Sequence, residues 1–199
     1  MRRLAKSLIV ALMLVPLGAC ISLFPKSKPA QLYRFEVAAV ETTQANAPVG
    51  VLLSPIDFQA ASASDRVLTT TGGEAAYVKD ARWVSPAAVL FEEAVVRAFQ
   101  GGPARLVQRG DVAQAQYALK LEVQTFETRY ASEGSAPQVV MAVHALLSRN
   151  NDRTVVGDRI FTATAQASDN RMGGIVPAYD QALGDVLGQL TGWVNSSVK

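Results

Sequence analysis

The sequence predicts an α+β domain, a mostly antiparallel mixed sheet with two amphipathic helices packed on one face. Three observations predict it. Apolar residues repeat at helical spacing over residues 85–100 and again over residues 174–195. A Gly72-Gly73 pair joins two short β-like runs. Apolar and polar residues alternate in successive stretches between residues 117 and 167, as in half-buried strands.

The chain opens on an export signal. Arg2, Arg3 and Lys6 precede an apolar run over residues 8–15, and Leu17-Gly18-Ala19-Cys20 follows as a lipobox. This assigns residues 1–19 to a lipoprotein signal peptide, 20–30 to a lipidated tether and 31–199 to a single domain. The apolar run is about half the ~20 residues of a spanning helix, which argues against a retained transmembrane segment. Cleavage would leave Cys20 first in the mature chain, carrying diacylglycerol and an N-acyl group. Several acyl chains hold a protein at a bilayer where one binds only reversibly. Ile21 follows the cysteine in place of aspartate. Under enteric-type sorting that residue favours the outer membrane, on its periplasmic face.

Charge is re-read after the cut. The whole chain carries a formal charge of +2, but three basic and no acidic residues leave with the signal, so sixteen basic side chains face seventeen acidic ones and the mature charge is −1. Nothing in this balance points to nucleic acid. Cys20 is the only cysteine, so no disulfide framework exists and the core alone must hold the fold.

Residues 31–40 read as a first strand carrying Leu32, Tyr33, Phe35 and Val37, and a polar loop over residues 41–48 follows. Residues 49–53 are a short apolar run closed by Ser54-Pro55. The Ala/Ser-rich residues 56–65 read as an irregular excursion with an exposed Phe58. Residues 66–71 and 74–79 form the hairpin around Gly72-Gly73, which tolerates the positive φ of a primed turn. After Trp83, Ser85 is the expected N-cap of a helix with Pro86 at its first position. Leu90, Phe91, Ala94, Val95, Ala98 and Phe99 make its apolar face, Glu93 and Arg97 an i,i+4 pair, and Gly101-Gly102-Pro103 its end.

Tyr117, Leu119, Leu121 and Val123 then alternate with polar residues until the parity breaks before Phe126, which predicts a bulge near Gln124 or Thr125. Residues 138–147 are apolar on both parities and should lie centrally, and a turn around Asn150-Asn151-Asp152 leads into a last strand over residues 154–167. The final helix buries Ile175, Tyr179, Leu183, Val186, Leu187, Leu190, Trp193 and Val194. Gly184, Gly188 and Gly192 fall four residues apart on a neighbouring face. Each weakens the helix by about 1 kcal/mol relative to alanine. Close approach of the sheet or the first helix is the simplest compensation, and contact with another protomer or a partner helix is the alternative.

Catalytic chemistry finds little footing. His144 is the only histidine and sits within the most apolar strand, as a satisfied sheet residue rather than a general base. No Gly-x-Ser-x-Gly elbow surrounds a serine, and zinc is implausible with one histidine and an acylated cysteine. The glycine pairs beginning at residues 72, 101 and 173 lack a phosphate-loop lysine. No cofactor is expected beyond the covalent lipid, and the chain reads as a non-enzyme.

Tyr33-Arg34-Phe35 soon after the anchor, the run 51–55, Asp65-Arg66 before a strand and Arg82-Trp83 ahead of the first helix resemble the ABC-type transport auxiliary lipoproteins. The strand over residues 117–126 and the amphipathic C-terminal helix extend the resemblance over nearly the whole mature chain. It implies a non-catalytic docking or scaffold subunit beside an ABC transporter whose substrate-binding component is an MCE-domain protein. It implies lipid traffic between the two membranes, and some members are thought to form homo-oligomeric rings. The candidate contact surfaces are Phe58, Trp83 and the strip of Gly184, Gly188 and Gly192. An outer-membrane assembly or TolB-like scaffold lipoprotein and a periplasmic lipid-binding carrier are the alternatives.

Overall fold

A computed structural model describes residues 29–36, 49–100, 102–107 and 115–198. The signal peptide, Cys20, most of the tether, the expected strand residues 37–40 and the polar loop 41–48 lie outside the described residues. Among the described residues the elements are β1 (Gln31–Tyr33), β2 (Val49–Leu53), β3 (Asp57–Phe58), β4 (Arg66–Thr71), β5 (Glu74–Trp83), α1 (Ala87–Ala98), β6 (Ala104–Val107), β7 (Tyr117–Tyr130), β8 (Gln138–Arg149), β9 (Val155–Gln166) and α2 (Met172–Ser197). They form the expected α+β architecture of one mixed sheet with both helices on the same face.

The sheet is built on β7. Its one edge pairs along its whole length with β8, antiparallel. Its other edge is shared end to end by three short parallel strands, β2 against residues 117–119, β3 against 122–123 and β4 against 128–130. Beyond these lie β6 beside β2, and β5 then β1 beside β4. Among the described residues β9 pairs only with β8 and forms a margin of the sheet. The parallel pairings are short, while the antiparallel β4–β5, β7–β8 and β8–β9 ladders carry most of the paired residues.

The expected bulge lies between Val123 and Thr125, where Gln124 has no partner on β8. An extra residue reverses which face later side chains take. Tyr117, Leu119, Leu121 and Val123 are buried before it, and Phe126 and Thr128 after it. Phe126 thereby joins a cluster of aromatic rings under the helices. Its centroid lies 5.2 Å from Phe35, 5.5 Å from Phe58 and 5.0 Å from Tyr179, and Trp83 stands edge-on to Phe35 and to Tyr179 at 4.9 Å. The Tyr179 hydroxyl shares a buried hydrogen bond of 3.1 Å with Thr128 Oγ1.

Several expectations are corrected. The first strand is only β1, since after Tyr33 the chain turns Phe35 into the aromatic cluster. β5 continues to Trp83, past the expected end of the hairpin, while Gly72 adopts φ +56° at the turn as expected. The excursion over residues 56–65 contains β3, and β6 follows α1 where no strand was expected. Ser85 is not an N-cap. Pro86 occupies that position without a side-chain hydrogen bond, and the N–H groups of Ala87 and Ala88 donate to the carbonyls of Ser64 and Ala63. The excursion therefore caps the helix with its own backbone. Glu93 and Arg97 form no ion pair, and the buried Arg97 Nε has no hydrogen-bond partner among the described residues.

Candidate functional site

The expected contact residues do not converge on one site. Trp83 is 2% exposed and belongs to the aromatic cluster, so it is unavailable to a partner. A tryptophan at the end of a hairpin strand under the helices is drawn inward because its large apolar area is best removed from water. Phe58 is half-buried, with its ring edge-on to Phe91 at 5.7 Å and to Phe126 at 5.5 Å. β3 holds it there, and the loop around it presents backbone and small side chains rather than an aromatic anchor.

Gly184, Gly188 and Gly192 are placed differently from the simplest expectation. A Cβ added at any of the three would meet nothing within 4 Å, so the strip lies neither against the sheet nor against α1. It occupies the solvent side of α2, with Gly188 and Gly192 exposed. Close approach occurs instead at Gly157 of β9, which the sequence reading missed. A Cβ there would lie 2.7 Å from the Trp193 ring, which packs against Phe161 at 5.5 Å. Cys20 lies outside the described residues.

The helix-free face of the sheet carries the charged groups. His144 on β8 stands opposite Glu122 of β7 and Ile160 of β9. Its Nε2 lies 2.6 Å from Asp158 Oδ1 and its Nδ1 3.5 Å from Glu122 Oε2. The hydrogen bond to Asp158 raises the His144 pKa, with Glu122 adding to it against partial desolvation. Lys120 pairs with Asp57 at 3.1 Å alongside. This is the satisfied sheet-face histidine expected from the sequence. Glu127, also on this face, is buried and accepts hydrogen bonds from Thr70 and Arg129.

Among the described residues no group of three or more His, Cys, Asp or Glu side chains is arranged to hold a metal ion. No described helix is long and apolar enough to cross a membrane. Two shallow recesses can be outlined among the described residues. One of about 270 Å³ is lined by Asp57, Phe58, Gln59, Glu122, Val123 and Gln124. The other, about 460 Å³, lies along the outer side of α1 at Val89, Glu92, Glu93, Val96 and Arg97. Both are edged by charged side chains. The larger exposed aliphatics fall into two groups, Leu32, Val84 and Val89 around β1 and the start of α1, and Val155, Val156 and Ile160 on β9.

The family model for the ABC-type transport auxiliary lipoprotein component matches residues 33–191. The chain belongs to that family. The match runs from the last residue of β1 into α2 as far as residue 191, so it takes in the sheet from β2 to β9, α1 and most of α2. Membership makes the protein an auxiliary component of ABC-type transport, in a family of membrane-anchored periplasmic lipoproteins rather than a catalytic one. Among solved structures, protein XCC0632 from Xanthomonas campestris, of the DUF330 family, is similar at 28% identity and a TM-score of 0.72, over 84% of this chain and 96% of that one. The hypothetical protein CT253 from Chlamydia trachomatis shares the fold at 8% identity and a TM-score of 0.52, over 74% and 98% of the two chains. The search of curated proteins found no match.

Proposed function

We propose that the protein is an outer-membrane-anchored docking subunit of an ABC transporter whose substrate-binding component carries MCE domains, and that the system moves lipid between the two membranes. The observation that carries this reading is a family match spanning nearly the whole fold, behind a lipobox at residues 17–20. A domain tethered through Cys20 is confined to a thin layer beside its membrane, which raises its effective concentration for a partner reaching across the gap. Such a subunit needs a stable, chemically quiet body and accessible surfaces, and copies side by side in a ring would multiply the contacts.

A lipid carrier would need an enclosed apolar cavity. The two recesses described are shallow and edged by Asp57, Glu122, Glu92 and Glu93, so neither is such a cavity. The test is to purify the intact lipoprotein from detergent-solubilised membranes and identify co-purifying proteins by mass spectrometry. An MCE-domain protein and its ATPase are expected. Recovery of outer-membrane assembly components in their place would replace this reading with the scaffold alternative, and stoichiometric phospholipid would revive the carrier.

A further inference from the structure

We propose that the margin of the sheet formed by β1, the end of β5 and the first turn of α1 lies on the lipid surface and fixes the orientation of the domain on its membrane. The inference rests on acylation of Cys20. From there to Gln31 the chain has eleven steps, about 40 Å fully extended and nearer 20 Å as a flexible coil. β1 is therefore the part of the fold that the tether keeps closest to the bilayer.

That margin carries exposed apolar side chains. Leu32 is 61% exposed, one residue beyond the tether's attachment. It stands in register with Arg82 on β5, and two residues further Val84, 44% exposed, donates its N–H to the Tyr33 carbonyl at 2.7 Å. Pro86 and the 45% exposed Val89 continue the exposed apolar surface onto α1. From Trp83 to Phe91 the chain carries no charged side chain. Singly scattered aliphatics need no explanation. These are adjacent along two paired strands and the helix that follows, and none is used by the core. Half-buried Tyr33 beside them is the amphipathic type favoured at a bilayer interface. Arg34 and Arg82 flank the group, paired with Glu36 and Asp65 at 3.6 Å, so both guanidinium charges beside Leu32 and Val84 are matched; Glu92 and Glu93 stand one turn beyond Val89, towards the headgroups. The other exposed aliphatics, on β9, lie at the opposite margin of the sheet.

The natural chain has one cysteine, consumed by acylation, so a new cysteine is a unique label site. Leu32→Cys, Val84→Cys and, as control, Ile160→Cys are made in the full-length lipoprotein, labelled with an environment-sensitive fluorophore and reconstituted into phosphatidylethanolamine/phosphatidylglycerol vesicles. All three positions are exposed, so the domain should fold in each variant. Labels at positions 32 and 84 should shift to the blue and be quenched by nitroxide-bearing lipid tails, while the label at 160 stays unshifted and unquenched. Equal, water-like emission at all three positions in protein that floats with the vesicles overturns the orientation and leaves the anchor intact. A blue shift without lipid quenching assigns the patch to a protein surface and also overturns it. Unacylated protein that fails to float removes the anchor reading, and the orientation falls with it.

Discussion

At Gln124 the extra residue of β7 reverses the parity of every side chain behind it, and Phe126 and Thr128 reach the core only because of that reversal. The break in alternation made this visible in the sequence. What the sequence could not show is the partner waiting there, Tyr179, fifty-one residues beyond Thr128. Burial raises the tyrosine's pKa far above its ordinary value and keeps the hydroxyl a neutral hydrogen-bonding group. Tyr179→Phe should leave Thr128 Oγ1 buried without that partner and lower unfolding free energy by about 1–2 kcal/mol in urea denaturation. Adding Thr128→Val should recover much of the loss, because two apolar groups of the same shape replace an unpaired acceptor. Full additivity of the two losses would refute the pairing. Gly157 shows the same limit from the other side. Its reason is the Trp193 ring, which arrives from α2 and leaves no local trace in the sequence.

Element boundaries followed the same division between local and distant causes. Helical spacing identified both helices, and the alternation of β7 and β9 identified their buried faces. β3 and β6 escaped because two- and four-residue strands have too little periodicity to read and are defined by parallel pairing to distant chain. The cap of α1 escaped because Ala63 and Ser64 supply it from more than twenty residues upstream of Ala87. α2 invites a direct test. Replacing Gly184, Gly188 and Gly192 together by alanine adds methyl groups into open space and removes a helix-propensity penalty of about 1 kcal/mol each. The isolated domain should gain about 2–3 kcal/mol, read as a higher urea midpoint. A loss of stability would mean that backbone packing, not solvent, occupies that side of the helix.

For the molecule as a whole, the bracket of Glu122, His144 and Asp158 ties three consecutive strands on the helix-free face. The folded-state pKa of His144 is raised above 6.5, so its contribution to stability is fully present below that value and is lost as pH rises through the raised one. The melting temperature should therefore fall as pH climbs through this window. In His144→Gln that part of the slope should vanish, and an unchanged profile would show the bracket to be energetically idle.

The order of the strands sets a stand-off distance. From β1 through β5, β4, β7 and β8 to β9 there are five inter-strand spacings. At roughly 4.8 Å each they amount to about 24 Å. On the proposed anchoring through Cys20, the β9 margin is held that far from the tethered edge by a hydrogen-bonded lattice rather than by slack chain. The sheet then works as a strut, and whatever grips β9 from across the gap would pull against cross-strand hydrogen bonds before it reached the linker.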